Sequence, residues 1–133
     1  MSRFKTVVSS KFDELWRYNI VVVCELCDKE GNRLEYNAEK SNIAPVGSNL
    51  TAMPEGYTTE RTIRMESGEG DHINLLVYVI PHTLPATNDI HATKPFPLII
   101  KVEADGKVVM NQVFNINQWS GENIAVKKLG AKE

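Results

Sequence analysis

Apolar and polar residues alternate along most of the chain. Ile20, Val22, Cys24 and Leu26 share one parity, as do Leu34, Tyr36 and Ala38. Ile73, Leu75, Val77 and Val79 form a third set, and Phe96, Leu98, Ile100 and Val102 a fourth. Val108, Met110, Phe114 and Ile116 form a fifth. Successive side chains of a strand point to opposite faces, and Val, Ile and aromatic residues suit a half-buried pleated surface, so each set reads as a strand with its apolar parity inward. Residues 4–9, FKTVVS, read as an edge strand, and ENIAVKKL (residues 122–129) as a short last strand. In SSKFDELWRY, Ser10 can cap and Phe12, Leu15 and Trp16 fall at helical spacing, which predicts one short helical turn near residues 10–18.

Pairing the sets suggests three hairpins. Leu26 opposite Leu34 leaves Lys29-Glu30-Gly31 as the loop. Met65 opposite Ile73 leaves Gly68-Glu69-Gly70, and Val102 opposite Val108 leaves Ala104-Asp105-Gly106. Each is a three-residue loop ending in Gly, which suits a type I turn followed by a left-handed residue. The third hairpin has a rival, a two-residue Asp-Gly turn that sets Ile100 against Asn111 and Phe96 against Asn115. Because a one-residue slip turns a whole side-chain set to the other face, the register pairing Ile100 with Met110 and Phe96 with Phe114 is preferred.

The expected fold class is therefore all-β, an antiparallel sandwich of seven or eight strands built from hairpins, with a barrel as the alternative. Residues 1–133 form one domain, and a chain of that length can bury a core without disulfides or a structural metal. Two connections are long, Glu39–Gly56 and Pro81–Pro95, both rich in Pro, Asn, Ser and Thr. Loops of that length either cross between sheets or carry function.

Composition changes this picture little. Hydrophobic residues make up 42% and charged residues 24%, as in ordinary globular domains. The net charge of −2 and the scattered basic residues give no footprint for nucleic acid. No apolar run reaches membrane-spanning length, so no membrane insertion is expected. The start lacks the apolar core of a signal peptide; as written the chain reads as cytoplasmic, and as secreted if a leader was removed.

The most suggestive motif for chemistry is Cys24-x-x-Cys27. Within a strand, residues three apart face opposite ways with Cα atoms ~10 Å apart at ~3.3 Å per residue, too far for a disulfide, which needs less than about 7 Å. A zinc ribbon needs a second pair, and the chain has two cysteines in all. Cys24 belongs to the core parity and Cys27 points away, so at most one thiol, Cys27, is expected to react in the native protein. His82 and His91 share a long loop with Asn88 and Asp89, but their spacing fits no metal pattern, and solvated loop histidines are the plainer reading. The carboxylates Glu66, Glu69 and Asp71 lack the oxygen-rich run of a calcium loop and read as a solvated turn. Trp119 ends a strand, where it caps the core or offers a stacking surface. No nucleophile elbow or phosphate loop is present.

These features favour a non-catalytic interaction or assembly module acting through sheet edges and long loops, with no cofactor and no metal. The edges to watch are residues 4–9 and 122–128. The alternative is a small-ligand or carbohydrate-binding module using His82, Asn88, Asp89, His91 and Trp119. A metal-dependent hydrolase using His82 and His91 is the remotest reading.

Overall fold

The computed structural model describes residues 1–41, 47–48, 52, 55, 61–85 and 93–131. Among them are eight strands: β1 (Ser2–Ser9), β2 (Tyr18–Cys27), β3 (Arg33–Ser41), β4 (Thr62–Gly70), β5 (His72–Pro81), β6 (Phe96–Ala104), β7 (Lys107–Ile116) and β8 (Glu122–Gly130). One 3-10 turn, Leu15–Arg17, lies where a helical turn was expected. Ser10 does not cap it; the Ser10 hydroxyl instead accepts from Phe12 N at 3.2 Å.

The strands form two antiparallel four-stranded sheets, ordered β4-β1-β6-β7 and β3-β2-β5-β8, which pack face to face as a sandwich. Alternation decides which residues meet between them. Val22, Leu75 and Ile100 are at most 1% exposed, and Phe4, Val8, Ile20, Val77 and Val102 join them in one core.

Four expectations are corrected. β1 is not an edge strand: it is hydrogen-bonded to β4 on one side and β6 on the other. β4 and β5 do not form a hairpin. Asp71 alone links them, and the chain passes from one sheet to the other there, because β2 and β8 already flank β5. Gly70 is needed at that crossing for space, since a Cβ would collide with the Leu26 side chain.

In the first hairpin the turn is as read, with Gly31 at φ +84° and Asp28 N bonded to Asn32 O at 2.9 Å. The register is not. A bulge between Leu26 and Cys27 sets Leu26 opposite Glu35, so Glu35, Asn37 and Glu39 take the inward parity and Leu34, Tyr36 and Ala38 are exposed. One extra residue in one strand reverses everything beyond it. Inward charge is a common guard on an edge strand. Here the Glu35 carboxylate also accepts from Gly68 N, at 2.9 and 3.2 Å, across the gap between the sheets.

In the third hairpin the rival turn is the one adopted. Asp105 (φ +51°) and Gly106 (φ +80°) are both left-handed, and Ala104 pairs with Lys107. A bulge then absorbs one residue, so the preferred register is not formed either: Val102 meets Met110, Ile100 meets Gln112, Leu98 meets Phe114 and Phe96 meets Ile116. Met110, Phe114 and Ile116 keep the expected parity, whereas Val108 is exposed and Val109 is buried in its place.

Candidate functional site

Two of the sequence-selected residues, His82 and Trp119, lie at the same end of the sandwich, where β2 and β6 begin and β5 and β7 end. The 3-10 turn packs there on an aromatic group. Phe12 stacks on Phe96 at 4.3 Å between centroids, and Tyr18 lies tilted 5.1 Å from Phe96. Tyr18 donates through its hydroxyl to Gln118 O at 2.6 Å. Burial pushes its phenol up to about 12, so it stays a neutral donor. Arg17, 1% exposed, donates from Nη2 to Gln118 Oε1 at 2.6 Å and lies over the Phe12 and Tyr18 rings.

His82 is fully buried at this end, not solvated. Its Nε2 lies 2.6 Å from Trp16 O and its Nδ1 2.7 Å from Ser48 Oγ. A carbonyl can only accept, so Nε2 carries the proton and Nδ1 accepts from the Ser48 hydroxyl. Ser48 N donates to His82 O at 2.7 Å, and His82 N donates to Arg17 O at 2.9 Å. A serine bonded to a histidine is part of what acyl-transfer chemistry needs. Here, however, the ring is inaccessible and both nitrogens are spent within the fold. The pair ties Ser48 to the residue that follows β5. Trp119 is half-buried, and its Nε1 donates to Thr93 Oγ1 at 2.8 Å. Asn88, Asp89 and His91 lie outside the described residues.

The opposite end carries a polar cleft of about 600 Å³ lined in part by Lys29, Glu30, Asp71, His72 and Lys128. His72 is buried, with Nδ1 2.8 Å from Asp71 Oδ2. Of the expected solvated carboxylates, Asp71 thus pairs with His72 and Glu69 with Arg3 at 3.9 Å. Among the described residues no cluster of three or more His, Cys, Asp or Glu is placed to hold a metal.

Both cysteines are free, and both are buried. Cys24 sits in the core, where burial pushes its thiol up to about 11. Cys27 does face the other way, but it is not open to solvent: it donates to Glu25 Oε1 at 3.3 Å and receives Asn74 Nδ2 at 3.7 Å. Burial and then the Glu25 carboxylate raise its thiol as well, which disfavours the reactive thiolate, so the folded chain offers Cys27 less readily than its outward parity suggested.

Around Cys27 a polar network crosses the outer surface of the second sheet. Glu25 accepts from Arg33 Nε at 2.7 Å and from Asn74 Nδ2 at 2.9 Å, while Asn74 Oδ1 accepts from Lys128 N at 2.9 Å, where β8 bulges with Lys128 at φ +53°. The bonds from Asn74 and Arg33 lower the Glu25 carboxyl from 4.5 to about 2. A carboxylate depressed in the folded state stabilises it fully above the unfolded value and loses that contribution as pH falls. Wild type should therefore lose stability between about pH 4.5 and 2. Glu25→Gln should be less stable at neutral pH but have a flatter acid limb, measured by urea unfolding at constant ionic strength. Some slope should remain, because hydrogen bonds also lower Asp28 and Asp105. Equal slopes would show that Glu25 is not so held.

Beyond this network the outward surfaces of the two sheets differ. On the second sheet Ala38, Val23, Leu76 and Ala125 are successive neighbours across all four strands, an unbroken apolar row. Beside it run Lys40, Val21, Tyr78 and Asn123. On the first sheet the corresponding rows are Arg64-Val7-Lys101-Asn111 and Glu66-Lys5-Glu103-Val108. Among the described residues no helix is long and apolar enough to cross a membrane.

No family model matches the chain, and no curated protein matches it. Among solved structures, a DUF4425 family protein from Bacteroides ovatus is similar at 17% identity, with 94% of each chain covered and a TM-score of 0.48.

Proposed function

We propose that the protein is a non-catalytic interaction module that docks another protein on the outer face of the β3-β2-β5-β8 sheet. The apolar row Ala38-Val23-Leu76-Ala125 carries this reading. Leu76 is 36% exposed and Tyr36 and Leu34 more so, whereas Val21, Val23, Tyr78 and Ile80 are half-buried around them. Contiguous outward apolar residues on a sheet already covered on its inner side are a mark of an interaction surface.

The charges around the row select the occupant. Glu25 is engaged by Arg33 and Asn74. Lys40 and Lys127 are exposed, and no ion pair holds them among the described residues. The partner that fits is a protein with an apolar patch rimmed by carboxylates. Such rim charges act mainly on encounter rate and salt dependence, while the apolar centre sets the lifetime of the complex.

The test is affinity capture from the native source, followed by binding kinetics with the captured protein. Leu76→Asp should abolish capture without lowering the unfolding midpoint by more than a few degrees. Lys40→Glu should slow association and reduce its salt dependence. Capture unaffected by Leu76→Asp would sink the proposal, as would self-association that maps to this face.

A further inference from the structure

Among the described residues the sandwich has four edge strands, β3, β4, β7 and β8. Unpaired edges invite pairing with another chain, and proteins guard them with charges, bulges and inward-pointing acids. Three edges are guarded here. β3 carries Arg33, Glu35, Glu39 and Lys40, and β4 carries Arg64, Glu66 and Glu69. β8 carries Glu122, Lys127 and Lys128, and it bulges at Lys128. β7 is different. From Val108 to Ile116 it has no charged residue, and Val108 and Val113 are 47% and 55% exposed. Its bulge lies next to the turn, so the ladder from Met110 to Ile116 is regular.

We infer that β7 pairs antiparallel with β7 of a second copy of this chain, joining two four-stranded sheets into one of eight. A two-fold axis normal to the sheet keeps each residue on its own face, and it sets no charge against its own image on this edge. Centring the axis on Val113 gives the most apolar match. Val113 then meets its symmetry mate, and Ile99, which neighbours Val113 within the sheet and is 38% exposed, extends the row on both sides. Asn111 meets Asn115 as an amide pair on the same face. On the inner face Gln112 covers the half-buried Phe114. The inference is independent of the docking face on the other sheet.

The test uses the full chain in light scattering over a concentration series, with engineered cysteines as register probes. Residues directly opposite across an antiparallel pair have Cα atoms about 4.5–5.5 Å apart, within disulfide range. Val113→Cys should therefore cross-link most of the chains under mild oxidation. Asn115→Cys should not, and wild type should not, since Cys24 and Cys27 are buried. Val113→Lys sets two like charges face to face and should yield monomer with an unchanged unfolding midpoint. Leu76→Asp should leave the dimer intact. The inference is overturned by a monomer throughout the series, by a dimer that survives Val113→Lys, or by cross-linking at Asn115→Cys as efficient as at Val113→Cys. A dimer lost in Leu76→Asp would overturn it too, and would also overturn the separate-partner reading of the other face.

Discussion

Gly121→Ala should destabilise the protein by about 2–5 kcal/mol and lower its unfolding temperature by ~10 °C. Two costs add at this position. Gly121 lies at φ +69° in the turn between β7 and β8, where its N donates to Asn117 O at 2.9 Å. A side chain in the left-handed region costs about 1–2 kcal/mol. A Cβ would also run into the Val79 carbonyl and Pro81 Cδ, at the end of the strand that β8 must join. Backbone cannot move aside as a flexible side chain can, so the overlap should add about 1–3 kcal/mol. Gly31→Ala is the control. That residue has φ +84° with nothing within 4 Å of its Cβ position, so only the first cost applies. Urea unfolding of both variants separates the two contributions, and equal losses would mean that the close approach to Val79 contributes nothing.

The parts of the fold that can be read from sequence are those where one face of a strand is wholly apolar. In β2, β5 and β6 the inward set is unbroken, and Val22, Leu75 and Ile100 are buried as alternation requires. The reading fails where an extra residue enters a strand. Leu34, Tyr36 and Ala38 alternate as well as any core set, but the bulge beside Cys27 turns them outward. At the third hairpin, turn and register look like a single choice in sequence. The bulge at Val109 uncouples them, so an Asp-Gly turn coexists with the inward parity of Met110, Phe114 and Ile116, while the pairing itself follows neither of the two registers the sequence offered. The link at Asp71 shows a different limit. A short connection after a glycine serves a hairpin and a crossing between sheets equally well, and only the competition for β5 from β2 and β8 decides.

The candidate residues follow the same logic. His82 and Trp119 were selectable by type, and the fold brings them to one end, but their side chains are engaged by Ser48, Trp16 and Thr93. The outward apolar row stayed hidden because its members lie on four separate strands and become neighbours only through pairing. Ser48 carries no local motif. Arg17 carries a faint one, a cation set between Trp16 and Tyr18.

That arginine supports the second large effect. Arg17→Ala should cost about 3–5 kcal/mol, whereas Arg17→Met should change stability by less than about 1.5 kcal/mol. The guanidinium is buried, and burying a cation costs several kcal/mol before any partner is counted. Its partners compensate in part. Gln118 accepts one hydrogen bond, Glu14 Oε1 lies 3.4 Å from Nε, and the faces of Phe12 and Tyr18 lie 5.7 and 5.3 Å from the charge. Desolvated contacts of that last kind are worth about 2 kcal/mol. Against this, Nε and Nη1 have no hydrogen-bond acceptor among the described residues. Both variants remove the unmatched donors, leave Gln118 Oε1 without the Arg17 donor, and leave Glu14, 39% exposed, to water. Alanine also empties a space beside two aromatic rings, which methionine refills in large part. A methionine variant as unstable as the alanine one would show that the cation itself, rather than its bulk, holds this end of the sandwich together.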